Sequence, residues 1–113
     1  MLPRQNRLKG QANFQKIYKQ GRKIWSPYFL LIYNLNPTLN QPLIGIVASK
    51  KVGGAVQRNK AKRMLRDAIG PIIPNLPKSM EMVVIASHNT LNINMDDLSK
   101  QMLICLQNTF QKN

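Results

Sequence analysis

Residues 50–70, KKVGGAVQRNKAKRMLRDAIG, constrain this chain more than any other stretch. They carry seven positive charges and one negative charge. Placed on a helix at about 100° per residue, 55–69 divides into two arcs. Ala61, Met64, Leu65, Ala68 and Ile69 share one, and Asn59, Lys62, Arg63 and Arg66 share the opposite one. Arg58 projects near the helix start at the edge of the apolar arc, and Lys60 lies beside Asp67. Such a helix has to lay its narrow apolar stripe on a larger apolar surface and keep the cationic stripe outside. Gly70-Pro71 ends it.

The rest of the chain supplies that surface. NFQKIYKQG places Phe14, Ile17 and Tyr18 at i, i+3 and i+4 ahead of Gly21, which predicts a short helix over about 11–20. KIWSPYFLLIYNL is aromatic and β-branched, and Pro27 interrupts it, so the strand proper is expected at about 28–35. LIGIVASK predicts a strand over about 43–49, and MEMVVIAS one over about 80–87. PIIPNLPKS between them reads as a proline-rich connector. Asn94 suits an N-cap, with Asp96 and Asp97 in the first turn of a helix over about 95–110. Leu98, Met102, Cys105, Leu106 and Phe110 share its apolar side. This succession predicts an α+β sandwich, helices packed on a sheet, within one domain covering 1–113.

The chemistry of the chain is set by its charge. Seventeen Lys and Arg face four acids among 113 residues, a net charge of +13. A chain this basic repels itself, and a polyanionic partner accounts for it. A membrane surface fits poorly, because the apolar arc of 55–69 is small and destined for the sheet. No apolar run reaches the roughly 18 residues of a membrane span. No apolar signal core follows the basic start MLPRQNRLKGQ, so a cytoplasmic location is expected. One cysteine, Cys105, and one histidine, His88, leave no metal cluster to assemble. Cys105 reads as a small core residue and His88 as a loop residue. Asp67, Glu81, Asp96 and Asp97 are the only carboxylates, too few for a two-metal nuclease site built by the protein.

Three of the five cations of 55–69, Arg58, Lys60 and Lys62, crowd its first half, toward the helix end that is already positive. A phosphate would relieve that crowding, held by free amides, Arg58 and the preceding Lys50 and Lys51. Gly53-Gly54 reads either as a tight strand-to-helix turn or as a place where a backbone comes close. Asn59, between cations, can accept and donate at once.

At these residues the chain resembles the bacterial ribonuclease P protein family. Its signature, Lys-Lys-x-Gly-x-Ala-x-x-Arg-Asn-Arg/Lys-x-Lys-Arg-x-x-Arg, is met by Lys50, Lys51, Gly53, Ala55, Arg58, Asn59, Lys60, Lys62, Arg63 and Arg66. RLKGQANFQKIYKQG is similar to the family's N-terminal motif, and the resemblance runs over about 4–110. It implies a four-stranded sheet with three helices in the order α-β-β-β-α-β-α, with a left-handed βαβ crossover. It implies a protein that binds a catalytic RNA and the 5′ leader of precursor tRNA, assisting endonucleolytic removal of the leader. The chemistry and its Mg²⁺ are then expected in the RNA, with no cofactor on the protein and one protein per RNA. Arg58, Asn59, Lys60, Lys62, Arg63 and Arg66 would face the catalytic RNA. Phe14, Tyr18, Tyr33, Lys50 and Lys51 would line a leader cleft, and Arg4, Arg7 and Lys9 would add basic contacts. Trp25 is expected to pack at a strand edge. Composition alone fits a ribosomal-type or general RNA-binding protein equally well.

Overall fold

The computed structural model describes residues 6–110. Its elements are α1 (Gln11–Gln20), β1 (Arg22–Trp25), β2 (Phe29–Leu35), β3 (Leu43–Val47), α2 (Ala55–Ile69), β4 (Met80–Ala86) and α3 (Met95–Phe110). The three helices occupy the ranges the sequence predicts. The strands are trimmed relative to expectation: β2 starts at 29, β3 stops at 47 and β4 stops at 86. The last β3–β4 pair is Val47 with Ile85; beyond it the chain turns through 49–52, so Ala48 and Ser49 find no ladder. The expected proline-rich connector is in fact a 3₁₀ helix, Gly70–Asn75. Pro71 stands in its first turn, where a missing N–H costs nothing, and Ile73 is buried.

The sheet runs β1-β2-β4-β3. β1 with β2 and β2 with β4 are antiparallel, and β3 with β4 is parallel. A parallel pair needs a crossover of a dozen residues or more, and α2 supplies it. β4, MEMVVIA, is buried along nearly its whole length, the continuous apolar run expected of a strand covered on both faces.

The two sheet faces carry separate cores. Phe29, Leu31, Tyr33, Ile44, Met82 and Val84 pack under α2 and α3, against Ala61, Leu65, Ala68, Leu98 and Met102. Ile32 and Val83 point the other way and pack with Ile17 of α1 and Leu8. Ile17 is fully buried, a burial that stabilises by about 1.5–3 kcal/mol. α3 begins as predicted: the backbone N–H of Asp97 donates to Asn94 Oδ1 at 2.9 Å, and Asn94 Nδ2 donates to the Asp97 carboxylate at 3.0 Å. The N-terminal segment lies along the outer edge of β3, where Arg7 bridges Ile44 and the Leu8 N–H donates to the Ile44 carbonyl at 2.9 Å. Asn6, also buried, donates its side-chain amide to the Pro42 carbonyl.

Candidate nucleic-acid interface

The exposed side of α2 forms a shallow groove of about 430 Å³ lined by Val56, Asn59, Lys62, Arg63 and Arg66. These are the four polar residues of the predicted cationic arc, with Val56 at the rim. α2 starts without a side-chain cap and without an acid in its first turn. The positive end of its dipole is therefore not offset by any acid in the first turn, while Arg66 stands in the last turn, at the opposite end. Gly53 holds φ +143°, a conformation L side chains rarely adopt, so the turn itself requires this glycine. Arg58 is half-buried and Lys60 exposed; neither lines the groove. Lys50 and Lys51 are exposed in the turn that precedes the helix.

A second groove lies on the other sheet face. The strand register arranges that face in rows. Lys23, Ile32, Val83 and Gly45 form one row, and Trp25, Leu30, Ile85 and Val47 form the next. α1 lies across the first row. Phe14 sits against Gly45 near the β3 edge, and Gly21 lies against Ile32. With Ile17 pointing into the sheet, Lys16 turns to one side and forms an ion pair with Glu81 at 3.7 Å. Glu81 also accepts from Asn34 Nδ2 at 3.3 Å. Tyr18, about 200° round the helix from Lys16, turns to the opposite side, toward the second row. Phe14 stands one turn before it, ring centroids 6.4 Å apart. The groove thus has an aromatic wall and an apolar floor of Leu30, Ile85 and Val47, all half-buried. Burial pushes the Tyr18 phenol above its ordinary value.

Tyr33 does not belong to this groove. It is only 8% exposed and packs in the core under α2 and α3, on the face away from Phe14 and Tyr18. Alternation along β2 correctly joins it to Phe29 and Leu31, but those residues face the other layer. Ile32 and Leu30 hold the α1 side instead. Lys50 and Lys51 follow Val47 by three and four residues, beyond the β3 end of the floor. Trp25 stands at the strand edge as expected, but it is 71% exposed and not packed into the core.

The two grooves approach each other at the edge of β3. A small cavity there is lined by Arg7, Phe14, Gly45, Ile46 and Arg66, among others. Arg66 thus lines both the α2 groove and this cavity, a link invisible to a helical wheel of 55–69. Lys9 is exposed just before α1, while Arg4 lies outside the described residues. The carboxylates are dispersed: Asp96 and Asp97 in the first turn of α3, Asp67 on α2, Glu81 under α1. Among the described residues, no three His, Cys, Asp or Glu side chains gather as metal ligands would. His88 is exposed, and Cys105 is half-buried with its thiol pushed up by burial. No helix among the described residues is long and apolar enough to cross a membrane.

Known proteins share this arrangement. The ribonuclease P family matches residues 2–109. The ribonuclease P protein component of Bacillus velezensis is 31% identical over 111 residues, covering 98% of this chain and 91% of that one. That of Syntrophus aciditrophicus is 27% identical over 105 residues, covering 93% and 87%. Among solved structures, the Staphylococcus aureus RNase P protein superposes with a TM-score of 0.81 at 28% identity, covering 96% of this chain and 98% of that one. The Thermotoga maritima RNase P protein gives 0.78 at 27% identity, covering 90% and 96%.

Proposed function

The chain belongs to the ribonuclease P family, and from that premise we propose that it serves as the protein component of an RNA-based enzyme that removes the 5′ leader of precursor tRNA. In this reading the α2 groove docks the catalytic RNA. Lys62, Arg63 and Arg66 take phosphates, and Asn59 bonds a phosphate or a sugar hydroxyl between them. The α1 groove takes the leader. Single-stranded RNA is held by aromatic stacking beside cations, and Phe14 and Tyr18 offer ring faces above an apolar floor. The observation that carries the proposal is that Arg66 lines both the α2 groove and the cavity at the β3 edge that Phe14 also lines. Such a junction lets one protein touch its RNA subunit and its substrate side by side.

The reaction is hydrolysis of one phosphodiester, leaving a 5′-phosphate on the tRNA. Hard cations such as Mg²⁺ take oxygen ligands, carboxylates foremost among protein side chains. Glu81 is committed to Lys16 and Asn34, and the other acids are spread over α2 and α3. These residues do not fit a metal site, so the metal chemistry is assigned to the RNA, with one protein per RNA. The protein's part is to hold the leader and offset phosphate repulsion. The test is cleavage of a 5′-labelled precursor tRNA at low Mg²⁺ with the protein alone, with a bacterial ribonuclease P RNA alone, and with both. Cleavage at the mature 5′ end only with both is expected. Cleavage by RNA-free protein alone would overturn the assignment. Stimulation by neither would leave a general RNA-binding protein.

A further inference from the structure

Trp25 is the largest exposed apolar side chain among the described residues. Indoles are highly buried on average, yet this one is 71% exposed. Its position follows from the register. Trp25 pairs with Leu30, Leu30 with Ile85, and Ile85 with Val47, so the indole continues the floor of the α1 groove onto the edge strand. Its neighbour Ile24 faces the opposite core, which fixes Trp25 on the groove side. Lys23 shares that face, with its ammonium 6.0 Å from the indole centroid, at the outer limit of a cation–π contact. Arg22 is exposed beside it.

We infer that Trp25 is a stacking platform for an unpaired base of the 5′ leader, at the β1 end of the α1 groove, with Lys23 taking the adjoining phosphate. The inference rests on the proposed reading of that groove as the leader site and adds a residue to it. An open indole face flanked by a cation is the arrangement that holds single-stranded nucleic acid without reading its sequence. From β3 to β1 the floor spans three strand spacings, about 14 Å. At roughly 3.4 Å per stacked nucleotide, that length accommodates about four leader nucleotides. One strand can therefore run from the Lys50–Lys51 end, past Phe14 and Tyr18, to Trp25.

Trp25 is the chain's only tryptophan, so its emission reports on this site alone. The experiment uses the reconstituted holoenzyme with wild-type protein, Trp25→Ala, Trp25→Phe and Tyr18→Ala. Affinity is measured for precursor tRNA and for mature tRNA, and Trp25 emission is followed during RNA assembly and during substrate addition. Trp25→Ala is expected to weaken precursor binding about 5- to 150-fold and to leave mature tRNA binding unchanged. Trp25→Phe should retain most of the affinity, and wild-type emission should be quenched by precursor but not by mature tRNA. If Tyr18→Ala loses precursor selectivity while Trp25→Ala binds like wild type, the groove remains the leader site and the role of Trp25 is overturned. If neither variant separates precursor from mature tRNA, the leader reading of the groove fails, and this inference with it. Quenching already complete on assembly with the catalytic RNA would overturn the inference by making that RNA the occupant.

Discussion

Gly45 shows how one residue shapes the groove. A Cβ there would stand 2.5 Å from both Cε1 and Cζ of Phe14, so the ring reaches its place only because β3 carries no side chain at that point. Gly45→Ala is expected to push Phe14 out of the wall, destabilising the fold by about 1–3 kcal/mol as overpacking does. Precursor affinity should fall while mature tRNA affinity holds; thermal melts and paired binding curves check the two effects. Tyr33 predicts the opposite split. Its burial under α2 and α3 makes Tyr33→Ala a cavity mutation costing about 3–5 kcal/mol. Tyr33→Phe should leave the ratio of precursor to mature tRNA affinity unchanged, since the ring stays in the core. A leader-specific loss in Tyr33→Phe would contradict the placement. The sequence reveals that Tyr33, Leu31 and Phe29 share a face, because strand alternation is local. Which layer covers that face is decided by contacts distant in sequence, Ile17 on Ile32 and Phe14 on Gly45, and no periodicity within β2 encodes them.

Among the elements, α2 was the most legible. Its two arcs and its buried stripe of Ala61, Leu65, Ala68 and Ile69 follow from a 3.6-residue period, and its end from Gly70-Pro71. α3 was legible for a different reason, since Asn94 and Asp97 form a cap within four residues. The 3₁₀ helix over 70–75 was not, because Gly and Pro read as breakers although a first-turn proline is compatible with a helix. The strand register was not legible either, and with it went the row that carries Trp25. Nor does a wheel of α2 show that Arg66 lies at the edge of β3 as well as in the α2 groove. That double position gives a prediction for the element. Arg63→Ala should weaken assembly with the catalytic RNA roughly 10- to 100-fold, the scale of a charge-assisted hydrogen bond, with precursor selectivity retained in the assembled enzyme. Arg66→Ala should weaken assembly and also reduce precursor selectivity. Titrating RNA and substrate separately for both variants distinguishes them, and identical behaviour would dissociate Arg66 from the second groove.

The molecule as a whole carries +13 on 113 residues, and its cations project from a core divided between two sheet faces. The charge that suits RNA works against the compact free protein. Two consequences can be measured. Leader binding should depend steeply on salt: with roughly four phosphates neutralised along the groove, log K should fall with log salt at a slope of about −3. The free protein should also gain stability from small anions that bind the folded state, by RT ln(1 + [L]/Kd). Sulfate at ten times its Kd would contribute about 1.4 kcal/mol, raising Tm by roughly 5–10 °C for a domain of this size. General screening of like charges predicts an equal rise in chloride at matched ionic strength, whereas a phosphate-shaped site predicts a larger rise in sulfate. If the site is the α2 groove, the excess in sulfate should shrink in Lys62→Ala/Arg63→Ala. Both residues lie outside the buried stripe of α2, so the variant should keep the helix packed on the sheet. A sulfate excess undiminished in that variant would place the anion away from α2, and equal Tm rises in the two salts would reduce the effect of anions to screening.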